Sequence, residues 1–340
     1  MALPPRKTGK LIASHCEDVF IDDQKVAETA KVLMQAFKQN DFSLKGWKNH
    51  VLHPKVADEK AIDIIFAIDV LNFSFWPDIP GKKYAVKYGG KLWTGYWSLV
   101  AALKRAEDEG KPVYDSEFMA EVEKREFSDI FRSDTEIEIP LLDKRFEGFK
   151  ESGRILLEKF NGSFINCIRQ CERDAVTLMN LVVENFPSFR DESVFQNQRV
   201  AFYKRAQILV ADIWCCFEGK GLGEFTNIDE ITMFADYRVP QSLEYFEILK
   251  YSEELKKALS QRIVFPPGHR FELEIRGSSI EAIERLTSQV RKLLADDDIK
   301  ESKLSGVNSI TVDNFLWDYA REHREKINHL PFHLVRTIFY

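Results

Sequence analysis

Residues 234–241 contain the side chain of this sequence that is best suited to catalysis. They read Phe-Ala-Asp-Tyr-Arg-Val-Pro-Gln, which places Asp236 between Phe234 and Tyr237. A solvated surface acid is less expected in such an apolar setting. A carboxylate held there could stabilise positive charge in a transition state, whereas an ion pair with Arg238 would be a purely structural use. We predict that Asp236 is a catalytic carboxylate.

A second acidic candidate, Asp229, follows a glycine-rich run at 219–223. Glycines permit positive φ and a close approach of the backbone. The run lacks the Gly-x-x-x-x-Gly-Lys-Ser/Thr pattern of a phosphate loop, so we expect no nucleoside triphosphate site. Asp229 or Asn227 could simply cap the short helix that begins there. As the alternative, Asp229 could orient or deprotonate an attacking water molecule.

The elements that must position these side chains are mostly helices. Apolar residues recur at helical spacing in 24–39 and again in 163–186, as expected of helices packed on a core. Similar patterns predict further helices over 58–71, 94–109, 146–160, 198–217, 279–295 and 312–325. Alternating apolar residues predict a hairpin at 83–93 and a strand at 270–275. We therefore expect a mainly α fold, in which a helical body carries a small sheet at one side.

The length and composition describe an ordinary globular protein. With 340 residues, 44% of them hydrophobic, the chain can bury a sizeable core. We expect a single domain over 1–340, or two closely packed helical lobes, with a flexible tail at 1–15 and an exposed loop at 295–306. The net charge of −6 argues against duplex nucleic acid as a partner, because affinity for the phosphate backbone comes from clustered Lys and Arg.

The five cysteines show no spacing typical of zinc sites or redox motifs. We expect reduced thiols and a cytoplasmic protein. Cys167 and Cys171 fall on the apolar stripe of a predicted helix and are expected in the core. Residues 1–10 include basic residues without the apolar segment of a secretory signal, and no apolar run approaches the roughly 20 residues needed to span a bilayer. A membrane or secreted role is therefore disfavoured.

Several runs spread along the chain resemble a known enzyme family. These runs are 71–76, 88–97, 202–207, 234–241, 274–276, 316–319 and 331–333. Together they resemble the queuosine 5′-phosphate N-glycosylases, the queuosine salvage proteins. The order of helix, glycine-rich turn and Asp236 is also similar in architecture to the helix-hairpin-helix DNA glycosylases. The counterpart of their Asp-containing segment is Asp236-Tyr237-Arg238-Val239, and the similarity implies a DNA-glycosylase-like helical body.

The family resemblance implies an N-glycosyl hydrolase that acts on queuosine 5′-monophosphate, uses no cofactor or metal, and releases the 7-deazaguanine base queuine for transfer-RNA modification. Cleavage of a glycosidic C–N bond passes through an oxocarbenium-like state, which a carboxylate beneath the ribose stabilises. A 7-deaza base has no N7 to protonate, so charge stabilisation and water activation carry more of the barrier. Asp236 is expected in the first role and Asp229 in the second. A non-catalytic queuosine-binding protein on the same scaffold is the alternative.

A 5′-phosphate requires cationic donors, and an acidic protein must concentrate them. The nearest in sequence to Asp236 are Arg199, Lys204, Arg205 and Arg238, with Tyr237 able to add a hydroxyl. Of these, Lys204 and Arg238 are the predicted phosphate ligands. A solvated helix face would explain Arg199 and Lys204 equally well.

The base requires an apolar slot with a few polar groups. Candidate walls are the aromatic residues Phe73, Phe75, Trp76, Phe234 and Trp317. His50 and Asp313 could hydrogen-bond the base edge or pair with its aminomethyl cation. Capping of local turns is the alternative for His50 and His53. They lie three residues apart without a third metal ligand, so no metal site is expected.

Overall fold

The computed structural model describes residues 2–39, 45–296 and 306–340. The chain divides into two compact units. The first unit comprises Met1–Ser43, Asp191–Gln207 and Asp229–Arg336, and the second comprises Leu44–Arg190, Ile208–Ile228 and Thr337–Tyr340. Most of the loop predicted at 295–306 lies outside the described residues.

Helices occupy most of the described chain, which confirms the prediction of a mainly α fold. In chain order they are α1 (Pro5–His15), α2 (Asp23–Lys38), α3 (Lys45–Asn49), α4 (Glu59–Val70), α5 (Tyr96–Asp108), α6 (Ser116–Glu121), α7 (Lys124–Ile130), α8 (Leu142–Lys159), α9 (Ile165–Gln170), α10 (Ala175–Asn185), α11 (Lys204–Cys216), α12 (Val239–Tyr245), α13 (Glu253–Ser260), α14 (Arg270–Ala295), α15 (Ser309–Glu322) and α16 (Arg324–Ile327). Short 3-10 helices cover Pro187–Phe189, Gly221–Gly223 and Ile228–Glu230.

Short strands form two-stranded sheets, so the expected small amount of sheet is spread over separate pairs. The strands are β1 (Val19–Ile21), β2 (Ala85–Tyr88), β3 (Lys91–Thr94), β4 (Glu192–Phe195), β5 (Gln198–Ala201), β6 (Leu249–Tyr251), β7 (Val264–Phe265) and β8 (Leu334–Val335). The pairs β1–β6, β2–β3 and β4–β5 are antiparallel, and β7–β8 is parallel. The β2–β3 pair confirms the hairpin predicted at 83–93.

Several helices begin where a side chain accepts hydrogen bonds from the first backbone amides. Asp22 Oδ1 accepts from the N–H groups of Gln24 and Lys25 at the start of α2. Asn308 and Thr311 form a reciprocal capping box at the start of α15. Such caps satisfy donors that have no partner inside the helix. Apolar residues at helical spacing behind the caps then bury one face of each helix.

Helix α14, with 26 residues, is the longest described helix of the first unit. Helices α1 and α2 both pack against it. A Cβ on Gly277 would lie 2.5 Å from Ile12, and one on Gly9 would lie 2.7 Å from Ile280. Both glycines are therefore required for the close approach of α1 to α14. The flexible tail predicted at the N-terminus is wrong over Pro5–His15, because that segment is a helix whose buried face packs on α14.

The strand predicted at 270–275 is also wrong, because this stretch is the first part of α14. Phe271, Leu273 and Ile275 alternate with charged residues, which is typical of a half-buried strand. The charged residues are nevertheless buried as well: Glu272, Glu274 and Arg276. A helix buried on all sides shows no apolar stripe, so its apolar residues alone suggested the wrong period.

The single helix predicted over 163–186 is divided into α9 and α10. Glu172 and Arg173, between the two helices, have φ angles of 49° and 65°. Left-handed residues cannot continue a right-handed helix, so the chain changes direction there. Apolar periodicity does not reveal such a break, because apolar residues are buried on both sides of it.

Stacked aromatic side chains form the core of the second unit. The ring of Phe66 lies 4.5 Å from that of Phe164 and 5.0 Å from that of Phe186, measured between centroids. All three side chains are buried. Offset and edge-on contacts of this kind add to the stabilisation from burying apolar area.

Arg145 is a fully buried cation in the second unit. Its Nε donates to the carbonyl oxygen of Pro140 at 2.9 Å, and its guanidinium also donates to the carbonyl groups of Leu71 and Phe73. The guanidinium carbon lies 4.2 Å from the centre of the Phe73 ring and 5.1 Å from that of Phe75. Phe73 and Phe75, which we considered as pocket walls, therefore pack on a buried arginine.

The five cysteines carry free thiols. Cys167 and Cys171 are buried, which confirms that they belong to the core, and burial raises the pKa of the Cys171 thiol. Over the ranges that the structure describes, no helix is both long and apolar enough to cross a membrane. Over the same ranges, no group of three or more His, Cys, Asp or Glu side chains could hold a metal ion.

Candidate active site

Asp236 lies in a turn of the first unit immediately before α12. Its Oδ1 accepts hydrogen bonds from the backbone N–H of Arg238 at 2.7 Å and of Val239 at 3.0 Å. These two bonds cap the helix and fix the direction of the carboxylate. Within the described part of the chain, Oδ2 accepts no hydrogen bond. Asp236 is half-buried between Phe234 and Tyr237, which are buried. One carboxylate oxygen is therefore held, and the other is available to a ligand.

The alternative of an ion pair between Asp236 and Arg238 does not hold. Arg238 Nη1 donates to Gln241 Oε1 at 2.9 Å. The guanidinium of Arg238 lies over the rings of Phe332, at 4.7 Å, and Tyr237, at 5.4 Å. Those two rings stack on each other with centroids 5.0 Å apart. Arg238 is thus a half-buried cation that packs on the rings of Tyr237 and Phe332.

Asp313 is the second carboxylate of this site. It lies on α15, is buried, and its Oδ1 accepts the backbone N–H of Phe234 at 3.0 Å. Burial raises the pKa of Asp313 well above its usual range, and the negative charge of Asp236 raises it further. The Phe234 N–H and the positive charge of Lys204 lower the same pKa by smaller amounts. Asp313 therefore favours its protonated form beside Asp236.

Lys204 is a buried cation at the first position of α11. Its backbone N–H donates to Asp191 Oδ2 at 3.3 Å. The preceding residue, Tyr203, has a φ of 48°, so α11 starts later than the helix predicted over 198–217. Left-handed backbone at a non-glycine residue is strained and is held in place by its surroundings. One such contact is the hydrogen bond from the Tyr203 hydroxyl to Glu192 Oε1 at 2.6 Å.

A buried arginine, Arg276, lies behind the site and was absent from our sequence-based candidates. Its guanidinium forms a two-point ion pair with Asp191, with distances of 2.5 and 3.1 Å. Its Nη1 also lies 3.3 Å from Glu272 Oε1, and its Nε donates to the carbonyl of Ala235 at 2.9 Å. In the sequence, Arg276 belongs to the run 274–276 that carries the family resemblance, and it directly follows the apolar alternation at 270–275.

His333 is a buried imidazole of the first unit. Burial lowers the pKa of His333 to about 3, and the positive charge of Arg276 lowers it too. The ring is therefore neutral at physiological pH.

Trp317 lies one helical turn after Asp313 on α15, so both side chains project from the same side of that helix. Trp317 is half-buried, and the guanidinium of Arg321 lies 4.6 Å from the centre of its ring. The structure thus gathers Asp236, Phe234 and Asp313 through direct contacts, with Lys204 close enough to affect the pKa of Asp313.

Asp229 has very different surroundings. Its side chain is 48% exposed and forms an ion pair with Arg291 at 2.6 Å. Its carbonyl accepts a hydrogen bond from Arg6. Among the residues that the structure describes, its side chain contacts neither Asp236 nor the first amides of a helix. Asn227, the other capping candidate, instead accepts the N–H of Ala175 at 2.7 Å.

Of two further basic candidates, Arg199 is exposed and Arg205 is buried. Arg199 lies on β5 with 62% of its side chain exposed, and it pairs with Glu192 at 2.5 Å across the β4–β5 hairpin. This contact favours the solvated alternative for Arg199. Arg205, next to Lys204, is buried.

His50 lies in the second unit, within a cluster of aromatic rings. Its ring stacks on Trp97 with centroids 3.3 Å apart and meets Trp93 edge-on at 5.7 Å. Its Nδ1 accepts the N–H of Leu52 at 3.3 Å, which agrees with the alternative of a local turn. His53 Nδ1 donates to a backbone carbonyl at 2.8 Å, and burial lowers the pKa of His53 to about 3.

The remaining aromatic candidate of the second unit, Trp76, is buried.

Comparison with known proteins identifies the family. The profile of the family described as "Queuosine salvage protein" matches residues 52–340. A protein of Mus musculus named queuosine 5′-phosphate N-glycosylase/hydrolase is 47% identical over 339 residues, covering 99% of both chains. Proteins of the same name from Schizosaccharomyces pombe and Sphaerobacter thermophilus are each 37% identical. The first match covers 94% of this chain and 91% of the relative, and the second covers 98% and 96%. This chain therefore belongs to the queuosine salvage protein family.

Proposed function

We propose that this protein is an N-glycosyl hydrolase that cleaves queuosine 5′-monophosphate and releases queuine for transfer-RNA modification. Its relatives are named queuosine 5′-phosphate N-glycosylase/hydrolases, which supports the substrate. The observation that carries the reaction type is the carboxylate pair of the first unit. Asp236 has one oxygen fixed by two amides and one available, beside the buried Asp313. The C–N bond breaks as the base takes a proton from Asp313, water adds to the anomeric carbon, and the proton that this water loses returns to Asp313.

Asp236 stabilises the positive charge that develops on the ribose as the glycosidic bond lengthens. An oxocarbenium-like ribose carries this charge on its anomeric carbon and ring oxygen. A carboxylate whose direction is already set by backbone amides needs little reorganisation to face that charge. The two Oδ1 hydrogen bonds leave Oδ2 for this contact.

Asp313 serves as the acid toward the departing base. Burial and the charge of Asp236 raise its pKa, which favours the protonated carboxyl group that a general acid requires. A base without N7 must leave with help at another atom, and a neutral buried carboxyl group can donate to it. This role extends the predicted contact between Asp313 and the base edge.

The 5′-phosphate is bound by Lys204 and Arg238. Lys204 supplies a buried positive charge at the start of α11, and Arg238 supplies a second one on the Asp236 turn. Cations are preferred here because charge-assisted hydrogen bonds to phosphate are strong. Phe234, Tyr237 and Trp317 are the proposed apolar contacts, and His50 remains a prediction for the base edge.

Asp229 remains a sequence-based prediction for activating the water molecule. Its exposed ion pair with Arg291 favours a structural role instead. We therefore propose that the chemistry depends on Asp236 and Asp313.

The test is to incubate the purified protein with queuosine 5′-monophosphate and to measure free queuine by mass spectrometry. We expect release by the unchanged protein and almost none by Asp236→Asn, which keeps the size of the side chain but removes its charge. Asp23→Asn is the matched control, because Asp23 is 73% exposed and forms a surface ion pair with Arg285. No release by the unchanged protein would reject the activity and favour a non-catalytic binder. Undiminished release by Asp236→Asn would reject the mechanism.

A further inference from the structure

We infer that Arg276 is a positioning residue of this reaction, which fixes the segment carrying Asp236 against the segment carrying Lys204. The inference rests on the proposed function, because the two segments are those to which that function assigns the substrate. Arg276 acts through its ion pair with Asp191 and has no assigned contact with the substrate.

The contact with the first segment is a hydrogen bond to the peptide group just before Asp236. Arg276 Nε donates to the carbonyl oxygen of Ala235 at 2.9 Å. The same turn is tightened by a bond from the Asp236 N–H to the Phe234 carbonyl at 2.7 Å. Because the peptide that bears the Asp236 carboxylate is fixed on both sides, a shift of the Arg276 donor moves that carboxylate.

The contact with the second segment passes through Asp191. Both carboxylate oxygens of Asp191 accept from Arg276, and Oδ2 also accepts the backbone N–H of Lys204. The carbonyl of Asp191 accepts the N–H of Phe202 at 3.0 Å. The guanidinium of Arg276 lies 4.0 Å from the centre of the Phe202 ring. One ion pair therefore determines where α11 begins.

The arrangement requires the shape of a guanidinium as well as its charge. Nε serves the Ala235 carbonyl, while Nη1 and Nη2 serve Asp191 and Glu272. Arginine offers five donors in a rigid plane, whereas a lysine ammonium is a point charge on a flexible stem. The side chains of Arg276, Asp191 and Glu272 are at most 4% exposed, so the geometry is not relaxed by solvent.

An ion pair that only stabilises the fold would behave differently from a positioning group. Loss of a structural pair lowers the melting temperature and leaves the turnover of each folded molecule unchanged. Misplacement of a catalytic group lowers kcat, and an error near 1 Å can cost about 100-fold. KM changes less than kcat, because ground-state contacts tolerate the shift better than the transition state does.

The experiment compares Arg276→Lys with Arg145→Lys, measured below the melting temperatures of both variants. Arg145 is an equally buried arginine that also donates to backbone carbonyls and packs on a phenylalanine, but it lies in the second unit. For Arg276→Lys we expect kcat to fall about 100-fold with KM within about threefold. Arg145→Lys should lose thermal stability and keep kcat within about twofold per folded molecule.

A second variant and a second readout keep the test decisive if Arg276→Lys folds poorly. Asp191→Asn removes the other partner of the pair and should lower kcat with the same small change in KM. In both variants we expect faster hydrogen exchange at the amides of Arg238 and Val239, because these amides donate to Asp236. This exchange is measured on the intact protein without substrate.

Two outcomes would overturn the inference: wild-type kcat in the folded Arg276→Lys or Asp191→Asn variants, or unchanged exchange at Arg238 and Val239. A further check uses Asp236→Asn as the background. If Arg276 acts through Asp236, Arg276→Lys lowers the residual rate of that background far less than it lowers the wild-type rate. Equal factors in both backgrounds would contradict this. An inactive wild type would reject the proposed function alone, since the exchange measurement would still decide the positioning role.

Discussion

Asp229 and Asp236 are carboxylates of the same short stretch, yet their surroundings differ in every respect that matters for catalysis. Asp236 is half-buried, two amides fix one of its oxygens, and its charge acts on the buried Asp313. Asp229 is about half exposed and pairs with Arg291. Closeness in sequence to a glycine-rich turn is therefore a weak guide to a catalytic acid. The fixed orientation of Asp236 in a poorly solvated site is why we propose it as the catalytic carboxylate.

The difference is one of electrostatics. Around Asp236, low polarity strengthens each interaction with a developing positive charge. At Asp229, water and salt screen the carboxylate, and Arg291 already balances its negative charge. The comparison leads to four expected effects, which decrease in size from Asp236 to Asp229.

Asp236→Asn should have the largest effect, a loss of about 10³-fold or more in the rate of queuine release. The substitution keeps an oxygen that can accept from the Arg238 and Val239 amides but removes the negative charge that faces the ribose. Steady-state release from queuosine 5′-monophosphate measures the effect. A loss smaller than about tenfold would remove the distinction between Asp236 and an ordinary capping residue.

Asp313→Asn should lower kcat by about 10²-fold or more, because the substitution removes the general acid. The dependence on pH gives a sharper test. Burial and the charge of Asp236 raise the pKa of Asp313, so its active protonated form is lost as the pH rises through that pKa. The wild-type rate should therefore fall on the alkaline side, and the residual rate of Asp313→Asn should not. An identical alkaline fall in both proteins would assign the titration to another group.

Lys204→Ala combined with Arg238→Ala should weaken the nucleotide more than the nucleoside. Loss of charge-assisted hydrogen bonds to phosphate should lower kcat/KM for queuosine 5′-monophosphate about 10- to 100-fold relative to queuosine. Parallel assays with the two substrates measure this ratio. Equal losses for both substrates would indicate that Lys204 and Arg238 support the site without binding the phosphate.

Asp229→Asn should have the smallest effect. We expect the rate of queuine release to stay within about twofold, and the free energy of unfolding to fall by about 0–1 kcal/mol, as for an exposed ion pair. Chemical denaturation and the release assay are the two measurements. A loss of activity as large as that of Asp236→Asn would restore Asp229 as the second catalytic carboxylate.

Local patterns predicted much of the fold because they report local burial. The helices expected at 58–71 and 94–109 correspond to α4 and α5, whose apolar residues face a core at helical spacing. The expected strand at 270–275 failed because Glu272, Glu274 and the adjacent Arg276 are buried and hydrogen-bonded within the protein. Periodicity treats a charged residue as exposed, and a buried ion pair breaks that rule.

In the candidate site, too, features set by neighbouring residues could be predicted, whereas contacts between residues distant in sequence could not. The half-buried position of Asp236 could be predicted from Phe234 and Tyr237, because all three residues lie within one turn of the chain; its catalytic role stays a prediction. The pair of Arg276 with Asp191 joins residues 85 positions apart, so spacing carries no trace of it. The contact between Asp313 and the Phe234 amide spans 79 positions. For Asp313, the family resemblance and a nearby tryptophan were the only guides.

The most direct test of the role of Asp236 is a crystal structure of the Asp236→Asn variant with queuosine 5′-monophosphate bound. We expect the anomeric carbon of the ribose to lie about 3–3.5 Å from the side chain at position 236, as required for a group that acts on the reacting atom. The carboxyl group of Asp313 should face the base in the same complex. A ribose whose anomeric carbon lies nearest to Asp229, with position 236 outside contact distance, would contradict the account.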